Sequence, residues 1–335
     1  MLKNKILAGA MALVMPLTMC LTGCSFVSMF NTFSYQYENA MEYKPGDREI
    51  EEKVTKINLD YISGDVTIKT ADTDKVSVKE TANIILRDPQ KVHTWVNEGT
   101  LYVRFCQSLK KINFTNINKS LELTLPSSQD LDDVIIEMSS GNLDCGGITT
   151  GGLKVRSSSG NVGIDCAGRN IEIKASSGNI SLTEKGDSES ITLKASSGTI
   201  DVKQSGNCGS IAIDSSSGNV TAEVDKVTKM DVHVSSGSIQ IEGNEITELI
   251  SKASSGNNTF DFGTAPKTST IKSSSGWVKI YMPEDSDVTV KAKISSGEFN
   301  SELPFTKNGK EYSCGNGSST MDIHVSSGNV NICKK

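Results

Sequence analysis

Apolar and polar residues alternate strictly along most of this chain, and the alternation changes phase at nearly fixed intervals. Ile171, Ile173 and Ala175 lead into Ile180 and Leu182, and Ile191, Leu193 and Ala195 lead into Ile200 and Val202. Ile211, Ile213 and Ser215 repeat the first half of the block, and Ile239 and Ile241 repeat the second. A period of two residues predicts strands with one buried face rather than helices. Each change of phase falls on a Ser-Ser-Gly tripeptide, whose glycines are Gly141, Gly160, Gly178, Gly198, Gly218, Gly237, Gly256, Gly276, Gly297 and Gly328. The intervals are 19, 18, 20, 20, 19, 19, 20, 21 and 31 residues.

Each repeat therefore reads as strand, corner, strand, loop, with Gly supplying the positive φ that a corner demands. One repeat cannot bury its single apolar face, whereas stacked repeats share a continuous core. The expected fold is all-β: a parallel β-helix, or β-solenoid, of 19–20 residues per turn, right-handed by the rule for parallel crossovers. At about 4.8 Å per turn, ten turns make a rod roughly 45 Å long. The 5% aromatic content suits a thin core of Ile, Val, Ala and Ser.

Both ends depart from the period. Ile57, Leu59 and Tyr61 before Gly64, with Val66 and Ile68 after it, give one more copy 77 residues ahead of Gly141. The intervening Val76–Val78, Leu101–Phe105 and Leu121–Pro126 read as short strands. Residues 51–133 are thus expected to be an N-terminal β region, continuous with the repeats at 134–335 and covering an end that would otherwise invite strand addition. The 31-residue interval predicts an insertion at about 302–320, with Asn308-Gly309 as a hairpin turn.

The first residues carry an address. Lys3 and Lys5 precede an apolar stretch from Ile6 to Met19, and Leu21-Thr22-Gly23-Cys24 follows. This is the pattern of an export signal over residues 1–23, and its ending resembles the lipobox of bacterial lipoproteins. That resemblance implies cleavage before Cys24, diacylation of Cys24, and a linker over 24–50. The expected location is a cell membrane lipid anchor, facing the extracellular or periplasmic side. Two acyl chains anchor stably where one is marginal. Removing Lys3 and Lys5 takes the formal charge from -6 to -8, which excludes nucleic acid as the expected partner.

Six further cysteines remain: Cys106, Cys145, Cys166, Cys208, Cys314 and Cys333. The register places Cys145 and Cys166 about 8 Å apart, beyond disulfide reach, as small core residues. Cys314 with Cys333 is left open. Neither a Cys-x-x-Cys pair nor a His-Glu-x-x-His motif occurs, so no metal or cofactor is expected. The acidic groups at Asp72/Asp74, Asp130/Asp132/Asp133 and Glu284/Asp285/Asp287 fall in turn-like segments, where solvated turns are the simpler reading than calcium ligands. The repeated serines read as a corner ladder, not as nucleophiles, and no catalytic constellation is expected.

Two columns carry the candidate chemistry. One residue after the corner glycine, Asn142, Asn161, Asn179, Asn219, Asn257 and Asn329 should stack as a polar ladder, interrupted by Trp277, a candidate for stacking on a sugar for which an ordinary packing role is the plainer reading. Four residues before the glycine, Arg156, Lys174, Lys194, Lys252, Lys272 and Lys293 share an outward column with Asp214, His233 and His324. Rows about 5 Å apart would set these charges against one another. Such a stripe on an acidic chain suits an anionic polymer; a solvated face, with lysine stems covering the sheet and Glu172, Asp231 and Asp322 nearby, is the plainer alternative.

The lipobox, Tyr43-Lys-Pro-Gly-Asp47, the segment Ile57 to Ile68, Leu121-Glu-Leu-Thr-Leu-Pro126 and the Ser-Ser-Gly-Asn-Val repeats together resemble the bacterial "putative adhesin" β-strand-repeat family, domain of unknown function 4097. The resemblance spans residues 50 to 334 and implies repeat architecture without catalytic residues to carry over. The expected function is a non-enzymatic, lipid-anchored binding or scaffolding surface of the cell envelope. Its expected partners are the membrane through Cys24 and a cell-wall polymer, an acidic polysaccharide or a surface protein. A polysaccharide lyase or hydrolase is the chief rival, since parallel β-helices host such enzymes, and an envelope-stress or sensory accessory is the third reading.

Overall fold

The computed structural model describes residues 33–335; the signal and Cys24 lie outside the described residues. The described chain is all-β apart from one 3-10 turn at Asp88–Gln90. Each repeat is a rung that turns at its Ser-Ser-Gly corner and pairs in parallel with the rungs above and below. Leu143–Asp144 pair with Val162–Gly163, Ile171 with Ile191, Ile200 with Val220, and Val220 with Ile239.

The phase change read from the sequence is present in the burial. Ile171, Ile173, Ile180, Leu182, Ile191, Leu193, Ile200 and Val202 are all buried in one continuous core. Each such side chain contributes about 1.5–3 kcal/mol by leaving water. The corner requires glycine for two reasons, shown at Gly198: its φ is +116°, and a Cβ there would lie 2.1 Å from the carbonyl oxygen of Gly178 on the neighbouring rung.

Rung order differs from chain order at both ends. Gly276 is followed in space by Gly328, whose neighbour on its other side is Gly297: the Gly276 amide donates to Ser327 and the Gly328 amide to Ser296. Strand Ser319–Ser327 accordingly pairs in parallel with Thr268–Ser275 on one side and Val288–Ser296 on the other. The 302–320 segment is thus more than a surface insertion. Its hairpin, Thr306–Asn308 against Glu311–Cys314, packs antiparallel on Val288–Lys291 and returns the chain to fill the slot that Val288–Ser296 left open. Phe299, Phe305 and Tyr312 cover that end, with the Phe299 and Tyr312 rings stacked at 4.2 Å.

The N-terminal end mirrors this arrangement. The Gly64 rung lies between Asp130–Ser140 on one side and Thr100–Arg104 with Lys119–Pro126 on the other. Both the first and the last rung of the chain are therefore internal, which leaves neither one fraying at an edge.

The expected 24–50 linker is shorter than its sequence suggests. Tyr35 and Tyr43 are buried, and Tyr35, Tyr37, Tyr43, Trp95 and Tyr102 form a chain of ring contacts over the N-terminal cap. Lys44–Pro45 and Arg48–Ile50 are antiparallel strands of that cap. Aromatic burial offsets the conformational entropy that a free linker would keep.

Candidate functional site

The corner face is built by the repeat itself. Each Asn one residue after a corner glycine accepts, through Oδ1, the backbone N–H of the same position on the next rung: the Asn161 amide donates to Asn142 Oδ1 at 3.0 Å, the Asn179 amide to Asn161 Oδ1 at 3.1 Å, and the Thr199 amide to Asn179 Oδ1 at 2.9 Å. Asp65 starts the ladder toward Asn142, and Asn329 continues it to Glu298. The ladder is a structural device that satisfies corner amides, as in Asx turns. Trp277 receives a link from Asn257 at 3.3 Å but offers only an indole donor to the rung beyond it.

Trp277 is 38% exposed and heads a small aromatic and polar patch. Alternation points Trp277, Lys279 and Tyr281 outward from one strand. The next rung in space sets Asn331 beside Lys279 and Cys333 beside Tyr281, and the last sets Asn300 beside Asn331. The Asn300 amide donates to Asn331 Oδ1 at 3.2 Å, and Lys279 Nζ lies 4.7 Å from the Tyr281 ring centre. An open groove runs between Trp277, Lys279, Asn300, Glu302, Asn331 and Cys333. Aromatic faces with amide groups at strand spacing supply apolar stacking and bidentate hydrogen bonding on one surface. Asn300, Asn331 and Glu302 were invisible as members of this group in the sequence, because their adjacency to Trp277 depends on the exchanged rung order.

The cationic column divides in two. Arg156 lies 3.5 Å from Glu137, Lys174 pairs with Glu172, and Lys194 lies 2.7 Å from Asp214. These three are neutralised from within, Lys174 by the neighbouring Glu172 and Lys194 by the Asp214 that the column itself contains. Among the described residues Lys252, Lys272 and Lys293 have no carboxylate within ion-pair distance. In space they run Lys252, Lys272, His324, Lys293, since His324 pairs with both Lys272 and Lys293 in the ladder. The free cations thus occupy the same end of the stack as Trp277, five residues away across the Ser-Ser-Gly corner in the case of Lys272.

A second groove, at the far corner of the rungs, is acidic, with Glu184, Glu223, Asp225 and Glu242 beside Lys203, Gln204 and Lys335. Glu184 occupies a core position and is buried; Cys166 and Gln204 are its ladder neighbours. Burial pushes its carboxyl up to about 7, against the Gly168 amide, with Asp187 adding to the rise.

All six cysteines in the described residues are free, and only Cys333 is not buried. Burial raises the thiols of Cys106 and Cys166 to about 12. Among the described residues no cluster of His, Cys, Asp and Glu has the arrangement of a metal site, and no helix is long and apolar enough to cross a membrane.

Comparison with known proteins adds the family. Three solved structures are similar in parts: a putative adhesin from Parabacteroides distasonis (14% identity, 86% of this chain and 97% of that one, TM-score 0.42), a putative adhesin from Bacteroides fragilis (14%, 86% and 96%, 0.34) and a putative cell adhesion protein from Clostridium sporogenes (12%, 87% and 100%, 0.22). No curated protein matches. The family model described as Toastrack DUF4097 matches residues 54–168 and again 164–333, which together span most of the chain. The chain belongs to the Toastrack DUF4097 family.

Proposed function

We propose that this protein is a non-enzymatic, lipid-anchored β-solenoid of the cell envelope, facing outward from the membrane through diacylated Cys24, and that it binds an acidic polysaccharide at the end of the stack remote from that anchor. The observation that carries this reading is Trp277. An exposed indole stands in a column whose other members make inter-rung hydrogen bonds, beside Lys279, Tyr281 and Asn331 and at the level of the free cations Lys252, Lys272 and Lys293. Stacking on Trp277 would hold a sugar ring, and the lysines would hold its carboxylate or sulfate groups. The parallel rungs supply the rigid surface that spaces these groups.

The test is retention of the full chain on a panel of wall polymers and anionic and neutral polysaccharides, with product analysis of each mixture. Salt-sensitive retention without cleavage, lost in Trp277→Ala, is expected. Alkylation of Cys333, which lines the same groove, should slow when the polymer is bound. Cleavage of any polymer would replace this reading with a lyase or hydrolase, and retention unchanged in Trp277→Ala would move the site elsewhere.

A further inference from the structure

We propose that the N-terminal cap itself rests on an anionic phospholipid surface, through the two loops at 83–91 and 107–118. The proposal rests on the reading of Cys24 as the anchor, which fixes which end of the stack meets the membrane.

The two loops form one surface. Asn83 and Asn118 exchange hydrogen bonds, the Asn83 side chain donates to the Asn116 carbonyl at 2.9 Å, and the Gln107 amide donates to the Pro89 carbonyl at 3.1 Å. Three of the most exposed large apolar side chains described lie on it: Ile84 at 48%, Ile85 at 97% and Leu109 at 66%. Leu109 is held in the left-handed region at φ +59°, where a leucine is strained, and its amide donates to the Tyr35 carbonyl at 2.7 Å. That strained backbone presents an aliphatic side chain to solvent instead of burying it, an arrangement that folding alone does not favour.

Charge and connectivity name the occupant. Arg87, Lys91, Lys110 and Lys111 sit on these loops with a single acid, Asp88, which pairs with Lys91 at 2.8 Å, in a chain whose formal charge is -6. Aliphatic tips flanked by lysine and arginine suit the boundary of an anionic bilayer, where the tips enter the acyl region and the cations meet phosphate. The chain enters the cap at this same place, since Phe33–Ser34 pair antiparallel with Lys111–Ile112. Cys24 lies nine residues ahead of Phe33, a reach of at most about 30 Å when fully extended. A lipid on Cys24 therefore confines the cap close to the bilayer, and the loop surface fixes which way the stack stands.

The experiment uses the full chain in two forms, acylated and Cys24→Ser, with vesicles of phosphatidylcholine alone or with phosphatidylglycerol at low salt. Flotation of the Cys24→Ser chain with the anionic vesicles is expected, weakened at least tenfold by Ile85→Asp with Lys110→Glu and Lys111→Glu. In the acylated chain on anionic vesicles, amide exchange at 84–86 and 109–111 is expected to slow, and the same substitutions should restore it. Leu109→Asn, which suits the left-handed backbone, serves as a second variant that keeps the fold. Absence of flotation together with unprotected loops in the acylated chain overturns the proposal, as does self-association that Ile85→Asp abolishes. Mass analysis of Cys24 separates the two ideas: vesicle binding through the loops with no lipid on Cys24 removes the anchor reading and leaves the surface standing.

Discussion

The backbone amide of Trp277 donates to Asn257 Oδ1 at 3.3 Å, so Trp277 takes a link from the corner ladder without passing one on. The Asn329 amide on the next rung finds no Oδ1 at position 277, since an indole has no acceptor to give. Trp277→Asn should restore that link and stabilise the fold by about 1 kcal/mol or less at this exposed corner, since one hydrogen bond is worth roughly 0.5–1.5 kcal/mol. The same variant should lose polysaccharide retention. Thermal unfolding and column retention measured together check this, and a destabilised variant would mean that the indole packs for stability.

The corner glycines set a second expectation. Gly198→Ala places a methyl against the Gly178 carbonyl at a φ of +116°. The backbone strain alone is about 1–3 kcal/mol, and the clash must open the ladder on top of it. A loss of more than about 3 kcal/mol in urea unfolding is expected, against almost none for Ser196→Ala on the exposed face beside it.

Such corners were readable from the chain because one rung's pattern suffices to define them: the parity of Ile191, Leu193 and Ile200 and the recurrence of Gly198 are local facts. Rung order was not readable. Ser319–Ser327 carries the same alternation whether it stacks on Val288–Ser296 alone or slips between that strand and Thr268–Ser275, because every rung offers the same apolar face and the same backbone edge. The candidate site inherits this limit. Trp277 stood out as a break in a column, yet Asn331 and Asn300 could be placed beside it only once the final rung was known to be internal. Pairing of Lys194 with Asp214 was readable, because the column already sets the two on adjacent rungs. The docking of Tyr35 and Tyr43 had a signal in the alternation of Tyr35 and Tyr37, obscured by its position next to an export signal.

A buried ion pair in the N-terminal cap gives a third prediction. Lys119 Nζ lies 2.7 Å from Glu80 Oε1, donates to the carbonyls of Gln90 and Phe105, and sits 4.0 Å from the Phe105 ring centre. Burial lowers the Lys119 pKa and raises that of Glu80, while their mutual attraction opposes both shifts. Lys119→Met leaves a buried carboxyl unpaired and should cost about 3–5 kcal/mol. Lys119→Met with Glu80→Leu should recover part of that loss, short of all of it because Tyr61 and the Val92 amide also donate to Glu80. Equilibrium unfolding of the two variants decides the matter; a double variant worse than the single would show that the polar network sets the cap's packing.

Glu184 predicts a pH dependence. Its folded pKa of about 7 stands above the ordinary 4.5, so its neutral form is the one the fold favours. The associated stability is fully present below about 4.5 and is lost as the pH rises through about 7. Glu184→Gln should therefore be more stable than the parent at pH 8, on the order of 2 kcal/mol with allowance for the water of the adjoining groove, and close to it at pH 4. Unfolding at the two pH values is the measurement. An equal difference at both would assign the effect to packing against Cys166 and Gln204 instead of to charge.

The division of the cationic column yields the last prediction. Reversing Lys252, Lys272 and Lys293 to Glu removes cations that no carboxylate of the described chain neutralises, so it should weaken retention on an acidic polysaccharide by about tenfold or more at low salt. Reversing Arg156, Lys174 and Lys194 removes charges already matched by Glu137, Glu172 and Asp214. Retention should then change by about twofold at most, while exposed pairs worth roughly 0–1 kcal/mol each turn into repulsions and lower stability slightly. Equal losses of retention in the two triple variants would mean that the polymer reads net charge along the whole face, and the assignment of the site to the Trp277 end would fall.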